Sequence, residues 1–264
     1  MISIKRFSIL LAFCSLSLLI VSCSDSTTGP DDSSTTKLDS KQKPGNSAEL
    51  FLQDDQYTSL QVEIDYMPGH EPTQDGIDSL KTFLVQRLNK QNISFRSPTQ
   101  IDSRNQSSYT AADIRSIEEN ERDHYTESDG STLQVYFLVV DAKYNDGDDG
   151  GSNVLGIAYW NTSVAFFGET IEEVSSGIGA PPEEKIEGTV FRHEFGHNMG
   201  LTGNGTPHPS GQSNHQNGDA HCSVDGCLME PAVETGNFFT NTFDGDIPNL
   251  DPLCIEDLQA NGGK

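Results

Sequence analysis

His193-Glu194-Phe195-Gly196-His197-Asn198-Met199-Gly200 sets two histidines four residues apart, with a glutamate directly after the first. On a helix of 3.6 residues per turn, positions i and i+4 share a face, so both imidazoles can aim a ring nitrogen at one metal ion about 2 Å away. Glu194 then stands beside water that such a metal acidifies to a pKa of roughly 7, and a carboxylate there can take its proton as the water attacks an acyl carbon. The flanks predict the helix. Pro181 and Pro182 precede Glu183 and Glu184, a start signal in which the acids face the positive end of the helix dipole. Ile186, Val190, Phe191 and Met199 supply an apolar face, and Gly200, Gly203, Gly205 and Pro207 mark the stop. A chance HExxH on an ordinary amphipathic helix is the competing reading, and these flanks count against it.

A catalytic zinc site uses three protein ligands, and His208, His215 and His221 all lie downstream. The segment His221-Cys222-Ser223-Val224-Asp225-Gly226-Cys227-Leu228-Met229 resembles the end of the archaemetzincin signature, in which the third zinc histidine is followed at once by CxxxxCxM. That resemblance implies His221 as third ligand and Met229 as the methionine of the turn beneath the metal. It also implies an α+β, metzincin or zincin-like fold, with a mixed twisted sheet, an active-site helix carrying HExxH and a small C-terminal subdomain. The activity implied is that of a zinc metalloendopeptidase, with a peptide or protein as substrate. The chain departs from the compact motif at Gly203, which stands where the third histidine would follow Gly200, so the intervening residues must loop out before His221. Such a loop is affordable in entropy, at about 0.6 kcal/mol per doubling of length. His215 remains an alternative third ligand or a second-site ligand, whereas His208, between two prolines, reads as surface. His70 and His124 have no ligand partner at useful spacing.

There are five cysteines. Cys14 lies within an apolar leader that begins with Lys5 and Arg6, and Ile20-Val21-Ser22-Cys23 resembles the lipobox of bacterial lipoproteins. Residues 7–22 are too short for a comfortable membrane helix, which needs about 20. Residues 1–22 are therefore expected to be a processed signal peptide and Cys23 a lipidated residue, the rival being an uncleaved anchor. Either reading exports the rest of the chain, and a lipoprotein held in the bacterial cell envelope or at its surface, touching membrane only through the lipid, is the expectation. Cys222, Cys227 and Cys254 then form an odd set, with at most one internal disulfide. Archaemetzincins carry a structural zinc on four cysteines, two of them from a later CxxC, and this chain offers only Cys254 there. Two readings stay open: a second zinc on Cys222, Cys227, Cys254 and His215, or a disulfide from Cys222 or Cys227 to Cys254.

Residues 24–48 are Ser, Thr, Asp, Lys, Gly and Pro with almost no apolar side chains, so residues 23–48 read as a disordered tether and 49–264 as one catalytic domain. Within it, Leu60, Val62 and Ile64 alternate as a strand, and Ile77, Leu80, Phe83, Leu84 and Leu88 recur at helical spacing. Residues 109–123 suit a polar helix, and Leu133 to Val140 a strand in the middle of a sheet. Residues 154–159 and 163–167 suit a strand pair turning at Trp160-Asn161-Thr162. In metzincins an edge strand at this point pairs with extended substrate, so residues 154–160 are expected to wall the cleft.

With 40 Asp and Glu against 16 Lys and Arg, the net charge is −24. Nucleic acid is excluded as a partner on this balance, and neutral or basic substrates are favoured over acidic ones. Asn145-Asp146-Gly147-Asp148-Asp149-Gly150 offers hard oxygens for calcium, or simply a solvated turn. A monomer is expected. No cysteine-switch motif is present, although residues 24–58 could lie across the cleft. Two other functions compete: a surface lipoprotein that binds a partner around a structural zinc, and an amidase acting on cell-wall peptides. A glutamate beside only two helix-borne ligands speaks against the structural zinc, which is usually closed by four protein ligands.

Overall fold

The computed structural model describes residues 37–147, 153–205, 220–241 and 245–264. In chain order the elements are α1 (Ala48–Leu52), β1 (Ser59–Tyr66), α2 (Gln74–Arg87), β2 (Asn92–Phe95), β3 (Thr99–Gln100), β4 (Ser108–Tyr109) and α3 (Ala111–Glu121). There follow β5 (Thr132–Val140), β6 (Lys143–Tyr144), β7 (Gly156–Trp160), β8 (Ser163–Phe167), α4 (Gly168–Ser175) and α5 (Glu183–Asn198). A short 3₁₀ turn (Leu201–Gly203), α6 (Pro231–Glu234), α7 (Asn237–Asn241) and α8 (Pro252–Ala260) complete the set.

The main sheet runs β2-β1-β5-β8-β7, with β3 also pairing β1. Neighbours are parallel except β7, which lies antiparallel to β8 at the edge. This is the expected mixed sheet, mostly parallel. The alternation in β5 explains its central place: Leu133, Val135, Phe137 and Val139 join one core cluster, and Tyr136, Leu138 and Val140 join the other. The first cluster packs the sheet against α2 and α5, where Phe137 meets Phe191 and Phe195 with centroids 6.1 Å apart and Phe166 meets Phe191 at 4.4 Å. The second takes Ile114 and Ile117 from α3.

Residues 37–48 depart from the expected tether. Leu38 N–H donates to Thr126 O at 2.9 Å, and Ser40, Ser47 and Ala48 are buried. The buried Asn161 organises the segment: its Nδ2 donates to Asp39 O at 3.0 Å and Ser47 Oγ at 2.7 Å, and its Oδ1 accepts from Gln42 N at 3.1 Å. Hydrogen bonds, with Leu38 packed on the core and Ala48 buried at its end, hold this stretch despite its polar composition. Trp160 remains in β7, which narrows the expected turn to Asn161–Thr162. The short β2 and β3 and the helix α4 also went unanticipated. Among the described residues no helix is long and apolar enough to cross a membrane.

Candidate metal centre

The site helix α5 starts at Pro182, with Glu183 and Glu184 in its first turn. It ends where Met199 N–H donates to Phe195 O at 2.9 Å and Gly200 N–H to His197 O at 3.0 Å. Gly200 sits at φ +84°, left-handed, where a glycine stops a helix at little cost. Two close approaches then set the height of the helix. A Cβ on Gly196 would lie 2.4 Å from Met229 Sδ, and one on Gly156 in β7 would lie 2.8 Å from Glu194 Cγ. Met229 thus abuts the helix between the two histidines, and the edge strand lies against the glutamate.

His221 joins His193 and His197, with ring centroids 4.9, 5.3 and 5.1 Å apart. All three are buried. His193 Nδ1–H donates to Leu228 O at 2.7 Å, which leaves its Nε2 as a lone pair facing His197 Nε2 at 3.2 Å. Asn204 Nδ2 lies 3.1 Å from His197 Nδ1. Burial pushes His193 down to about 4, against the pull of the Leu228 carbonyl, and burial with the neighbouring imidazoles holds His197 well below the usual histidine range. Buried neutral imidazoles with converging nitrogens are what a divalent cation needs, and such donors suit zinc. The long connection to His221 is closed at its root. Thr202 and Ala220 both adopt left-handed φ, +58° and +63°, and the Thr202 hydroxyl donates to the Ala220 carbonyl.

Both carboxylate oxygens of Glu194 are buried without a well-formed protein hydrogen bond, the Ala158 backbone N–H of β7 being the donor that acts on them. Burial first, and then the Glu234 carboxylate, push Glu194 far above the ordinary carboxylate range. A cavity of about 440 Å³ opens here, lined by Ile157, Ala158, Glu194, His197, His221 and Glu234, with Lys43, Pro44 and Asn46 on its rim. Glu234 was missed by sequence reasoning. Its Oε2 lies 3.4 Å from His221 Nε2, and only its position five residues beyond Met229 could have pointed to it. The edge of β7 is bounded by main-chain bonds at both ends, Leu155 N–H to Glu234 O at 2.8 Å and Asn161 N–H to Gln42 O at 2.9 Å.

A second cluster lies behind the Met229 turn. Cys222, Cys227, Cys254 and Asp251 bring four ligand atoms within 4.8 Å of one another. The three cysteines carry no disulfide among the described residues, with Cys227 Sγ 3.8 Å from Cys254 Sγ. Val224, Met229 and Asp251 direct backbone N–H groups at Cys222 or Cys227 sulfur, each at 3.4 Å. Hydrogen bonds from Cys227 and Cys254 pull Cys222 down to about 5, and Cys222 in turn pushes Cys227 up to about 12. His215, the fourth ligand expected from sequence, lies outside the described residues, and among them the fourth group is Asp251. The spacing Asp251-x-x-Cys254 was its only sequence signal.

His208, His215, Cys14 and Cys23 lie outside the described residues, as do Asp148, Asp149 and Gly150 of the proposed calcium loop. Asn145 Oδ1 accepts from Gly147 N–H at 2.9 Å, as a turn requires, and among the described residues no acidic cluster converges there. His70 packs beside Gly168, and the His124 N–H donates to Glu63, so neither joins the centre.

Residues 84–202 match the model of a family described as metallo-peptidase family M12B, Reprolysin-like. The match includes the HExxH helix and stops before His221 and Met229. No match is found among curated proteins. Solved structures that match include the following three. Archaemetzincin from Methanopyrus kandleri is 14% identical with a TM-score of 0.49, covering 78% of this chain and 96% of that one. A zinc-dependent peptidase from Methanocorpusculum labreanum is 12% identical with a TM-score of 0.46, covering 75% and 99%. Metalloproteinase-II from Bacteroides fragilis is 15% identical with a TM-score of 0.38, covering 81% and 56%. On the family match and the site's own residues, the chain carries a zinc-metallopeptidase-like domain.

Proposed function

We propose that the chain is an extracytoplasmic zinc metalloendopeptidase, lipid-anchored at Cys23 in a bacterial envelope, with His193, His197 and His221 as its metal ligands. What supports it most is one juxtaposition: three buried imidazoles meet beside a buried glutamate that has no side-chain partner, in a cavity walled by an open strand edge. Zinc held there supplies Lewis acidity and lowers the pKa of water to roughly 7. Glu194 Oε1 and Oε2, buried at the cavity with only the Ala158 backbone N–H acting on them, are placed to take a proton and return it to the departing amine. Leu228 O fixes the tautomer of His193, and Met229 packs behind Gly196 to hold the helix at its height. A peptide adds to β7 through main-chain bonds, limited to the stretch between Leu155 and Asn161. The same buried glutamate disfavours a purely structural zinc.

The test is zinc content alongside turnover. Glu194→Gln is expected to keep zinc and lose peptide cleavage by at least about a hundredfold, the scale of a missing general base. Cleavage at the native rate by that variant sinks the assignment. A second, structural zinc on Cys222, Cys227, Cys254 and Asp251 is favoured by the backbone N–H groups aimed at sulfur, since those donors stabilise thiolates. It requires two zinc ions per chain, falling to one in Asp251→Ala while His221→Ala removes the other.

A further inference from the structure

Beside the catalytic cavity lies a second one of about 360 Å³, and Lys43, Pro44, Ile157 and Ala158 line both. The two therefore form a continuous groove along the edge of β7. The second cavity is lined also by Lys41, Arg115, Tyr144 and Trp160, so three cationic side chains face it and, among the described residues, no carboxylate does. In a chain with 40 acids and 16 bases, that inversion is local and specific. Lys41 is partly spent, pairing with Glu119 and lying 5.3 Å from the Trp160 ring centre. Lys43 and Arg115 are exposed and form no ion pair among the described residues. Lys43 is held in place by its own segment. Asn46 N–H donates to Lys43 O at 3.1 Å, and the adjoining residues are tied to Asn161.

We propose that Lys43 and Arg115 form a substrate subsite that selects an acidic side chain of the extended peptide, at the Trp160 end of the groove. This rests on the peptidase reading above. A substrate strand laid along β7 from the metal centre reaches these two cations at the end where the chain's own Gln42 bonds to Asn161. A carboxylate there gains two cations that form no ion pair among the described residues, and an aromatic wall. The net charge does not cancel this gain, because at physiological salt charges beyond about 8–10 Å are largely screened whereas cations in contact with the substrate are screened less. The preference for neutral or basic substrates inferred from composition is thus reversed at this subsite.

The test uses the zinc-loaded full chain and quenched fluorescent peptides of one neutral sequence, in which Glu, Ala or Lys is walked through each position around the scissile bond. Glu is expected to exceed Ala at one position by about five- to tenfold in kcat/KM, two exposed ion pairs' worth, with Lys disfavoured there. The Glu-to-Lys ratio should invert in Lys43→Glu/Arg115→Glu and shrink toward unity in about 0.5 M salt. The ratio is insensitive to any general loss of activity, and an unchanged thermal midpoint shows that the variant folds. No preference for Glu at any position, or a preference that survives in the double variant, overturns the proposal. If no peptide is cleaved, the peptidase reading fails, and anisotropy of labelled Glu-containing and neutral peptides decides the subsite. Tighter binding of the acidic peptide, lost in the double variant, supports it; equal binding refutes it.

Discussion

Replacing Gly196 by Ala tests the packing that seats the metal helix on Met229. The methyl lands 2.4 Å from Met229 Sδ and 3.0 Å from its Cε, well inside contact. Met229 cannot simply turn away, because it is fully buried, its carbonyl accepts from Cys222 N–H at 2.7 Å and its own N–H points at Cys227 Sγ at 3.4 Å. Alanine in a helix interior gains about 1 kcal/mol over glycine, and overpacking costs roughly 1–3 kcal/mol, so the single change should destabilise by about 1 kcal/mol. Met229→Ala alone should cost about 3 kcal/mol, within the usual range for opening a core cavity. In the double variant the new methyl enters the space Met229 leaves, so the sum of about 4 kcal/mol should fall short by 1–2 kcal/mol. Urea unfolding of the four proteins measures this cycle. Additivity within about 0.5 kcal/mol would show that the two residues do not touch, and the support assigned to Met229 would be wrong.

Other outcomes follow from buried polar groups. Burial lifts Glu187 to about 7, although Thr73 N–H and hydroxyl both donate to its Oε2. The folded protein therefore holds a proton the unfolded chain releases near 4.5, and stability should fall as pH rises from about 4.5 through 7. Glu187→Gln should flatten that slope and gain up to roughly 3 kcal/mol at pH 8; an unchanged slope refutes the assignment. Asn161→Ala removes three hydrogen bonds from the segment beside the cleft, so amides of residues 39–47 should exchange at least tenfold faster while those of α5 keep their protection. Equal exchange in both variants would mean the segment is held by something else.

The features with a regular period were legible. Leu60, Val62 and Ile64, the run from Leu133 to Val140, and the helical spacing from Ile77 to Leu88 all reappear as elements, because each buries a whole face. His193, Glu194 and His197 were legible for the same reason, sharing one helix. What sequence could not carry was convergence. Glu234 and Asp251 are acids among 40, and only the folded chain brings them beside His221 and the three sulfurs. Residues 37–48 have no apolar rhythm, since Asn161 holds them through backbone bonds that composition does not record. The short β2 and β3 offer too few residues for a period to show.

The Thr202–Ala220 bond has a consequence for how this chain tolerates change. Because the third histidine is indexed to the site helix at the root of the intervening connection, its placement rests on Thr202 and Ala220, while Asn204 just past the root holds His197 Nδ1. Lengthening the connection costs only a logarithmic entropy increment. A reporter or affinity handle spliced in after Gly205 is therefore expected to leave the ligands set as long as the Thr202–Ala220 bond and the Asn204–His197 contact persist.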